Sequence, residues 1–363
     1  VRTAEMIAEP HSLPVQTLAG LGSMDYGDWA GKLHSEVAQL WPDLYQDWRR
    51  DPFRMQIPGG ERTSDLRHRV LGALGSILTQ HSDGDTIALV SHQVVTKTLV
   101  CSLMGMPDPY HWHIWQDLCN LTSLAYEPAK EEVHLTGLND TCHLNSALPG
   151  IKNASTRLVL IRHGQTAWNA GAGEERFRGR FDLPLDATGL AQARAVADRL
   201  AQERIAALYA SPLLRTRQTA APLAEVQGLT VQPHDGLMDI DYGRFQSLSQ
   251  AEAARAYPEV YAKWRAHPST VCFPDGESLA AVQTRLLALL HELSSRHPGQ
   301  SVALVGHQIV NKVLVSTLLG LDLDQVWRIE QATCSLDVFQ HAGGAWRTLL
   351  VNDGCHLQNA DPG

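Results

Sequence analysis

The sequence predicts an α/β fold, a three-layer α/β/α sandwich with a largely parallel central sheet, and it predicts that this unit is duplicated. Short apolar runs alternate with longer amphipathic stretches, a pattern typical of parallel strands joined by helices. The apolar run 158–161 is followed directly by Arg162 and His163. A buried strand is therefore expected to deliver these side chains to the carboxyl edge of the sheet, where such folds bind ligands. Several other landmarks occur twice along the chain.

Length, charge and cysteine content exclude several classes of protein. The 363 residues fit two domains, and 44% hydrophobic with 19% charged residues is typical of globular proteins. A net charge of −9 argues against a nucleic-acid or acidic-membrane partner, and no apolar run is long enough to span a bilayer. The six cysteines include no Cys-x-x-Cys pair, so neither a zinc site nor a disulfide framework is expected. A reduced, cytoplasmic protein is the expectation.

An internal repeat decides the predicted architecture. Five short segments of the first half return in the second half in the same order: Met24–Trp29 as Ile240–Phe245, Tyr45–Trp48 as Tyr261–Trp264, Pro58–Glu61 as Pro274–Glu277, Ala88–Gln93 as Ala303–Gln308, and Asn139–Leu144 as Asn352–Leu357. Cys142 and Cys355 occupy equivalent places in the two copies. They are predicted to be packing residues rather than a disulfide between the copies.

The two copies are unequal in length. Thr3 matches Thr219, so the first copy has no counterpart of about 157–217, and residue 1 falls inside a predicted helix. The sequence is interpreted as a fragment of a longer tandem protein, with a natural half-domain that depends on the second copy as the alternative. The predicted division is a partial, non-catalytic domain at 1–144, a linker at 145–156, a complete domain at 157–357 and a tail at 358–363.

The second copy contains alternating strands and helices. Thr188 is the predicted N-cap of its first helix, and Ser211 with Pro212 is predicted to start the second one. The predicted elements, in order, are a strand at 158–162, helix 189–203, strand 206–210, a helix after Pro212, helix 277–296, strand 301–305 and a helix that ends near residue 319.

The residue types after the first strand suit a phosphate group. Arg162 supplies a fixed cationic fork, and Thr166 and Asn169 can donate hydrogen bonds. His163 is then available for chemistry. The alternative is a histidine that only caps a turn, but the other motifs of the chain favour a functional histidine.

Three motifs together resemble the histidine phosphatase superfamily, whose fold is phosphoglycerate mutase-like. They are Arg162-His163-Gly164, Ser211-Pro-Leu-Leu-Arg215 and Gly306-His307, each at a predicted strand end or helix start. The resemblance covers residues 157–357. It implies that His163 is the nucleophile of a phosphohistidine mechanism, that Arg162, Arg215 and His307 hold the phosphoryl oxygens, and that no metal or cofactor is required.

The residues predicted to bind the phosphate or the rest of the substrate are Thr166, Asn169, Gly179 and Gln308. The resemblance implies that Asn169 is a neutral donor to the phosphoryl group. Arg178 and Arg180, beside Gly179, are candidates for contact with the remainder of the substrate, with a solvated loop as the alternative.

A general acid must protonate the leaving group. The family places a glutamate before the Tyr-Gly turn, whereas this chain has Asp239 there, so Asp239 is the predicted acid and the nearby Asp241 is the alternative. In the first copy the aligned residue is Ser23, which cannot act as an acid. That copy keeps Glu61, and it keeps His92 after a predicted strand, but the segment that would hold its nucleophile is missing.

The predicted function is a metal-independent phosphomonoester hydrolase that acts on small phosphorylated metabolites through phosphohistidine. The phosphoglycerate mutases of the family carry a longer insertion around the acid, whereas the segment around Asp239 is short. This favours a hydrolase over the alternative, a phosphoglycerate mutase. A phospho-ligand binding or scaffold protein with a degenerate first domain is the second alternative. The expected partner is a small phosphorylated metabolite, not a nucleic acid or a membrane, and a homo-oligomer is an open option.

Overall fold

The computed structural model describes residues 1–144, 148–150, 156–170 and 175–357. The chain forms two compact units, Val1–Leu118 with Glu127–Glu131, and Cys119–Tyr126 with Glu132–Gly363. Most of the predicted linker 145–156 and all of the predicted tail 358–363 lie outside the described residues. The boundaries of the predicted domains were set by the sequence repeat. The boundaries of the two compact units lie at different residues. Among the described helices, none has the length and apolar character that a membrane crossing needs.

The first unit is helical. Its hydrophobic core includes the aromatic residues Trp29 and Trp48 and the aliphatic residues Ile57 and Leu66, all of which are buried. Its helices are α1 (Arg2–Ala8), α2 (His34–Leu40), α3 (Pro42–Arg50), α4 (Thr63–Leu78) and α5 (Gln93–Met104).

The strand predicted before His92 is not formed in the first unit, where residues 86–91 have no regular structure. A strand needs a neighbour to complete its hydrogen-bond ladder. The segments that flank the equivalent strand of the second repeat have no counterpart in the first copy. His92 is consequently exposed.

The second unit contains the described sheet and the remaining helices. The order of strands across the sheet is β1-β2-β8-β7-β3-β6-β4-β5. The elements in chain order are β1 (Leu121–Glu127), β2 (Glu132–Asp140), β3 (Thr156–Arg162), α6 (Ala187–Arg199), β4 (Ile205–Ala210), α7 (Leu214–Gln227), β5 (Val231–Pro233), α8 (Gln250–Ala256), α9 (Pro258–Ala266), α10 (Leu279–Arg296), β6 (Gln300–Gly306), α11 (Gln308–Leu319), β7 (Leu336–Ala342) and β8 (Ala345–Asp353).

Parallel strands at the centre of this sheet confirm the predicted α/β class. β6 pairs in parallel with both β3 and β4, and β4 pairs in parallel with β5. The residues of β3 and β6 are almost all buried, which explains their continuous apolar sequence. β7 and β8 continue the sheet in antiparallel fashion.

Strands from the two repeats pair with each other within this sheet. β2 and β8, which are equivalent in sequence, run antiparallel with Leu138 opposite Val351. Because these two residues are themselves equivalent, the pair has a local two-fold arrangement. Asn139 donates its side-chain N–H to the Leu349 carbonyl at 2.7 Å, and its counterpart Asn352 donates to the Thr136 carbonyl at 2.7 Å.

The prediction that Cys142 and Cys355 do not form a disulfide is wrong. The structure links them, with 6.2 Å between their Cα atoms and a sequence separation of 213 residues. The physical reason is the local two-fold pairing of β2 and β8, because equivalent residues just beyond the two strands are brought face to face. Equivalence in the repeat therefore favoured the disulfide.

Three predicted helix starts also differ. α10, predicted from residue 277, begins at Leu279, because the side chain of Ser278 accepts the Ala281 N–H at 3.2 Å. α6 begins two residues earlier than expected, because the side chain of Asp186, not Thr188, accepts a hydrogen bond from the Gly189 N–H at 2.8 Å. α7 begins at Leu214, beyond Ser211 and Pro212; its N-cap residue Leu213 has no capping side chain, and Asp182 Oδ1 accepts the Leu214 N–H at 2.6 Å instead.

A tight turn recurs in both units and depends on glycine. Gly243 has a φ of +50°, and a Cβ placed there would lie 2.0 Å from the Pro274 carbonyl oxygen. Its counterpart Gly27 has a φ of +45°, and its Cβ would lie 2.3 Å from the Pro58 carbonyl oxygen. In each unit an aspartate side chain two residues before the glycine accepts its N–H, at 2.8 Å from Gly243 and 2.9 Å from Gly27.

We expect Gly243→Ala to destabilise the second unit by more than about 2 kcal/mol, because the left-handed backbone and the close carbonyl both oppose a Cβ. Gly228→Ala is the matched control. Gly228 has a φ of +65°, but no described atom lies within 4 Å of the place that a Cβ would take, so backbone strain alone should cost about 1 kcal/mol. Urea unfolding followed by circular dichroism measures both, and equal losses would contradict a steric role for the Pro274 carbonyl.

Candidate active site

Two neighbouring parallel strands bring the two predicted histidines together. Arg162, the last residue of β3, lies opposite Gly306, the last residue of β6. His163 and His307 follow immediately, and their ring centroids are 5.3 Å apart. The backbone N–H of His163 donates to the Gly306 carbonyl at 3.1 Å, so the hydrogen bonding between β3 and β6 continues into the site. Both side chains are buried at the carboxyl edge of the sheet, the usual ligand-binding edge of this fold class.

The ring of His163 is oriented by its own loop. Its Nδ1 lies 2.7 Å from the Gly164 carbonyl oxygen, which can only accept, so Nδ1 carries the proton. The Nε2 atom is buried and has no partner among the described residues. It therefore keeps a free lone pair. Burial is the largest cause that lowers the pKa of His163 well below 6.5, and the nearby Arg215 and Arg162 act in the same direction.

His307 has the complementary tautomer. Its Nδ1 accepts a hydrogen bond from the Arg215 Nε–H at 3.2 Å, so in the neutral ring the proton resides on Nε2. That Nε2 is buried without a partner in the described part of the chain. Burial, followed by Arg215, lowers the pKa of His307 well below 6.5. The site thus offers one nitrogen acceptor from His163 and one N–H donor from His307.

Arg215 connects several segments of the site. Its guanidinium is fully buried and donates to the carbonyls of Gly179 and Phe181 at 2.8 Å each. It also donates to Asp239 Oδ2 at 3.1 Å. The resemblance implied that Arg215 holds phosphoryl oxygens, and the structure shows that most of its donors bind protein groups.

Asp239, the predicted general acid, is buried beside Arg215 and His307. Its Oδ1 accepts the Ile240 N–H at 3.0 Å, and its Oδ2 accepts from Arg215 and lies 3.7 Å from His307 Nδ1. The carboxyl group is buried, and burial raises its pKa above 3.8, although Arg215 opposes the shift. A carboxyl with a raised pKa can hold a proton for transfer.

Asp241, the alternative acid, has a different role in the structure. Its Oδ1 accepts the Gly243 N–H at 2.8 Å, and its Oδ2 forms an ion pair with Arg180 at 3.2 Å. Arg180 also pairs with Glu277 at 3.3 Å. Asp241 is thus a turn residue, and Arg180 belongs to an ion-pair network around that turn.

Asn169 presents an amide donor. Its Oδ1 accepts both the backbone N–H and the hydroxyl of Thr166, at 2.7 and 2.9 Å. This fixes which way the amide points, and Asn169 Nδ2 is left buried without a partner among the described residues. Thr166, predicted to bind phosphate, uses its hydroxyl to orient Asn169.

The remaining predicted residues line an adjoining cavity of about 220 Å³. Gly179 and Gln308 lie in its wall together with Asp239 and Arg178. Gly179 has a φ of +46°, and a Cβ there would lie 2.9 Å from the Ile240 carbonyl oxygen. Arg178 is buried, and its Nε has no partner in the described chain. Of the two arginines considered for substrate contact, Arg178 reaches the cavity wall.

Sequence reasoning missed a network behind Arg162. The Arg162 guanidinium donates to the backbone carbonyl of Gln331. The Gln331 side chain in turn donates to Asp337 Oδ1 at 2.8 Å and accepts from Asn311 at 3.3 Å. Burial raises the pKa of Asp337 to about 7. Asp337, a charged residue between the apolar Leu336 and Val338 of β7, was the available signal, because buried polar groups need partners.

The first unit keeps the turn but not the site. Arg69 donates to the carbonyls of Gly20 and Ser23, as Arg285 does to the Gly236 carbonyl in the second unit. Ser23 occupies the position of Asp239 and is exposed. With His92 also exposed, the described residues of the first unit form no counterpart of the buried cluster around His163.

Comparison with known proteins agrees with this geometry. The sequence pattern of the histidine phosphatase superfamily, branch 1, matches residues 1–141 and 158–354. The chain belongs to the histidine phosphatase superfamily. The two matched segments also agree with the predicted tandem repeat, and the predicted family, fold and enzyme class, a phosphoric monoester hydrolase, are confirmed.

Curated relatives of the chain are named as phosphatases or as a phosphoglycerate mutase. Phosphoserine phosphatase 1 of Hydrogenobacter thermophilus is 34% identical over 201 residues, which cover 55% of this chain and 94% of the relative. A 2-carboxy-D-arabinitol-1-phosphatase of Triticum aestivum is 32% identical over 209 residues, with 56% and 41% covered. The probable phosphoglycerate mutase GpmB of Enterobacter is 33% identical over 199 residues, with 52% and 87% covered.

Solved structures match about half of the chain. YhfR of Bacillus stearothermophilus superposes with a TM-score of 0.53 at 26% identity and covers 56% of this chain and 100% of its own. A mycobacterial glucosyl-3-phosphoglycerate phosphatase superposes with a TM-score of 0.50 at 29% identity, with 55% and 100% covered.

The lowered pKa of His163 predicts the acid limb of the pH profile. Protonation of Nε2 would remove the nucleophilic lone pair, so activity must fall as the pH decreases through the pKa of His163. Since burial and two arginines lower that pKa, we expect the acid-limb midpoint of kcat/KM for an aryl phosphate to lie below 6.5. Initial rates corrected for substrate ionisation measure it, with circular dichroism at each pH as the folding control. A midpoint at or above 6.5 would contradict a neutral His163 with a lowered pKa.

Proposed function

We propose that the second unit hydrolyses small phosphomonoesters through a phosphohistidine intermediate on His163, without a metal ion. The observation that carries this proposal is the free, buried Nε2 of His163, whose ring is held neutral and oriented by the Gly164 carbonyl. A free imidazole lone pair beside buried arginines is suited to attack on a phosphoryl group, since the arginines offset the charge of the group transferred.

The reaction has two steps that conserve protons. His163 Nε2 forms a bond to phosphorus while the bond to the leaving oxygen breaks, and Asp239 gives its proton to that oxygen. Water then attacks phosphorus, the bond from phosphorus to nitrogen breaks, and Asp239 takes a proton from the water. Its raised pKa, caused by burial, suits both roles. Covalent catalysis of this kind divides one difficult displacement into two easier ones.

The phosphoryl oxygens are bound by the donors that the structure leaves available. These are the Nε2–H of His307, the side-chain amide of Asn169 and the buried N–H groups of Arg162 and Arg178. Arg215 supports the site from behind, because it fixes both the tautomer of His307 and the position of Asp239. Such preorganised donors stabilise charge in the transition state without reorganisation.

Hydrolysis is favoured over mutase chemistry by the phosphatase names of two of the curated relatives and of one solved structure described above, against one named as a probable phosphoglycerate mutase. A mutase would have to protect phosphohistidine from water until an acceptor arrives. The first unit is proposed to be non-catalytic, since Ser23 and the exposed His92 replace the acid and one site histidine. The proposed ligand is a small phosphorylated metabolite. The cytoplasm is still the proposed compartment, but the Cys142–Cys355 disulfide does not support it, because disulfides are rare in reducing compartments.

The role of Asp239 predicts a dependence on the leaving group. In excess chelator, wild type should hydrolyse both 4-nitrophenyl phosphate and an alkyl phosphate such as glycerol 3-phosphate. Asp239→Asn should lose about 10²–10⁴-fold in kcat on the alkyl phosphate, the contribution of a general acid. It should lose much less on the aryl phosphate, because nitrophenolate departs without protonation.

Asp241→Asn is the matched control, because Asp241 is the other carboxyl of the same turn, and it should show no selective loss. A selective loss in Asp241→Asn, or equal losses on both substrates in Asp239→Asn, would refute Asp239 as the acid. No hydrolysis by wild type, together with isomerisation of phosphoglycerate, would replace the proposed phosphatase with a mutase.

A further inference from the structure

The cavity beside the phosphoryl site extends beyond the residues that the proposed reaction uses. Asp239 and Gln308 line it, and so do five aromatic residues, Phe177, Tyr242, Tyr261, Trp264 and Trp327. The two tryptophan rings are perpendicular with centroids 5.0 Å apart, and the Trp327 indole N–H donates to the Trp264 carbonyl at 3.2 Å. The aromatic wall is therefore held in place. When the phosphoryl group of a substrate is bound at His163, its leaving group lies next to this cavity.

One cation in the cavity wall, Lys312, makes no ion pair with a described residue, although the carboxylates of Glu330 and Glu175 favour its charged form. Lys312 is only 5% exposed, and its Nζ lies 5.7 Å from the centroid of the Trp327 ring. No described residue forms a hydrogen bond or an ion pair with its ammonium group. Burial lowers the pKa of Lys312 to about 8, while Glu330 acts in the opposite direction, so Lys312 remains mostly protonated at neutral pH.

Arg265, another cation of the wall, is exposed to solvent, and two further charged residues of the wall are engaged by protein groups. Arg176 pairs with Glu252 at 3.2 Å and donates to the Ser247 carbonyl at 2.7 Å. Glu175, another carboxylate of the wall, is within 4.0 Å of Arg178 and accepts from Gln250 at 3.3 Å. An unpaired buried ammonium is unfavourable unless a ligand pairs with it. Lys312 is therefore a cation of this cavity that can bind an anion from the ligand.

We propose that Lys312 binds a carboxylate of the substrate, so that the preferred substrates are phosphomonoesters whose alcohol carries a carboxylate group. This proposal rests on the proposed phosphatase function, because it identifies the leaving group of that reaction. The phosphoryl group occupies the site at His163, and the carboxylate lies in the adjoining cavity against Lys312. The tryptophan wall excludes water and so strengthens the interaction between ammonium and carboxylate.

The repeat supplies a matched control for Lys312. Lys97 is the equivalent residue of the first unit; it is 3% exposed, and its Nζ lies 4.9 Å from the centroid of the Trp112 ring. The local arrangement of lysine and tryptophan is thus the same, but the described first unit has no counterpart of His163. Removal of the Lys97 charge tests the structural effect of losing a buried lysine without touching the substrate cavity.

The experiment compares substrates that differ only in the carboxylate. The first pair is 3-phosphoglycerate and glycerol 3-phosphate, and the second is phosphoserine and phosphoethanolamine. We expect wild type to favour the carboxylate member of at least one pair by about tenfold to 100-fold in kcat/KM, the effect of one charge-assisted hydrogen bond. Lys312→Met should reduce that ratio to within about threefold of unity, and Lys97→Met should preserve it. Lys312→Gln repeats the test if the methionine variant fails to fold.

The outcomes separate this inference from the proposed function. Hydrolysis of 4-nitrophenyl phosphate with ratios near one for both pairs would keep the phosphatase and overturn the role of Lys312. Equal loss on both members of a pair in Lys312→Met would overturn it as well. If wild type hydrolyses none of these esters, the proposed function fails, and the same pairs are compared by calorimetric Kd. Equal Kd values within each pair would then overturn the carboxylate site too.

Discussion

The buried guanidinium of Arg215 is the constraint on which the site depends. A cation with no exposure to solvent must satisfy its N–H groups within the protein. Its partners come from three separate segments, the carbonyls of the loop after β3, Asp239 in the turn after β5, and His307 after β6. Because one rigid planar group binds all three, Asp239 and His307 are fixed relative to each other, and the pairing of β3 with β6 keeps His163 beside His307. The arrangement that positions the proposed acid is also the one that keeps a buried charge paired.

The internal repeat has different consequences in different parts of the chain. The glycine turn is formed in both units, because its contacts are local and depend only on nearby sequence. The parallel strand is formed only in the second unit, because a strand requires neighbours from elsewhere in the chain. Near the ends of the two repeats, the equivalent strands β2 and β8 pair with each other about a local two-fold axis. This pairing also explains the Cys142–Cys355 disulfide.

Sequence patterns predicted the elements that bury continuous apolar runs and the histidines that follow them. His163 and His307 could be placed because each comes directly after such a run. The tautomer of each ring could not, since it depends on partners that come together only in the folded structure. Gln331 and Asp337 were missed for the same reason, because they support Arg162 from other parts of the chain and carry no motif. The inclusion of β1 and β2 in the sheet depends on pairing between repeats, which periodicity does not encode.

The phosphorylation of His163 during turnover is the step on which the proposed chemistry depends. It is tested most directly by rapid mixing with a phosphomonoester, an alkaline quench that preserves phosphohistidine, and mass spectrometry of the peptide that contains His163. A phosphohistidine mechanism predicts one acid-labile phosphate on His163 in wild type, formed within the time of a single turnover and absent from His163→Ala, which should also be inactive. Hydrolysis by wild type with no phosphate on His163, or activity that survives in His163→Ala, would contradict this mechanism.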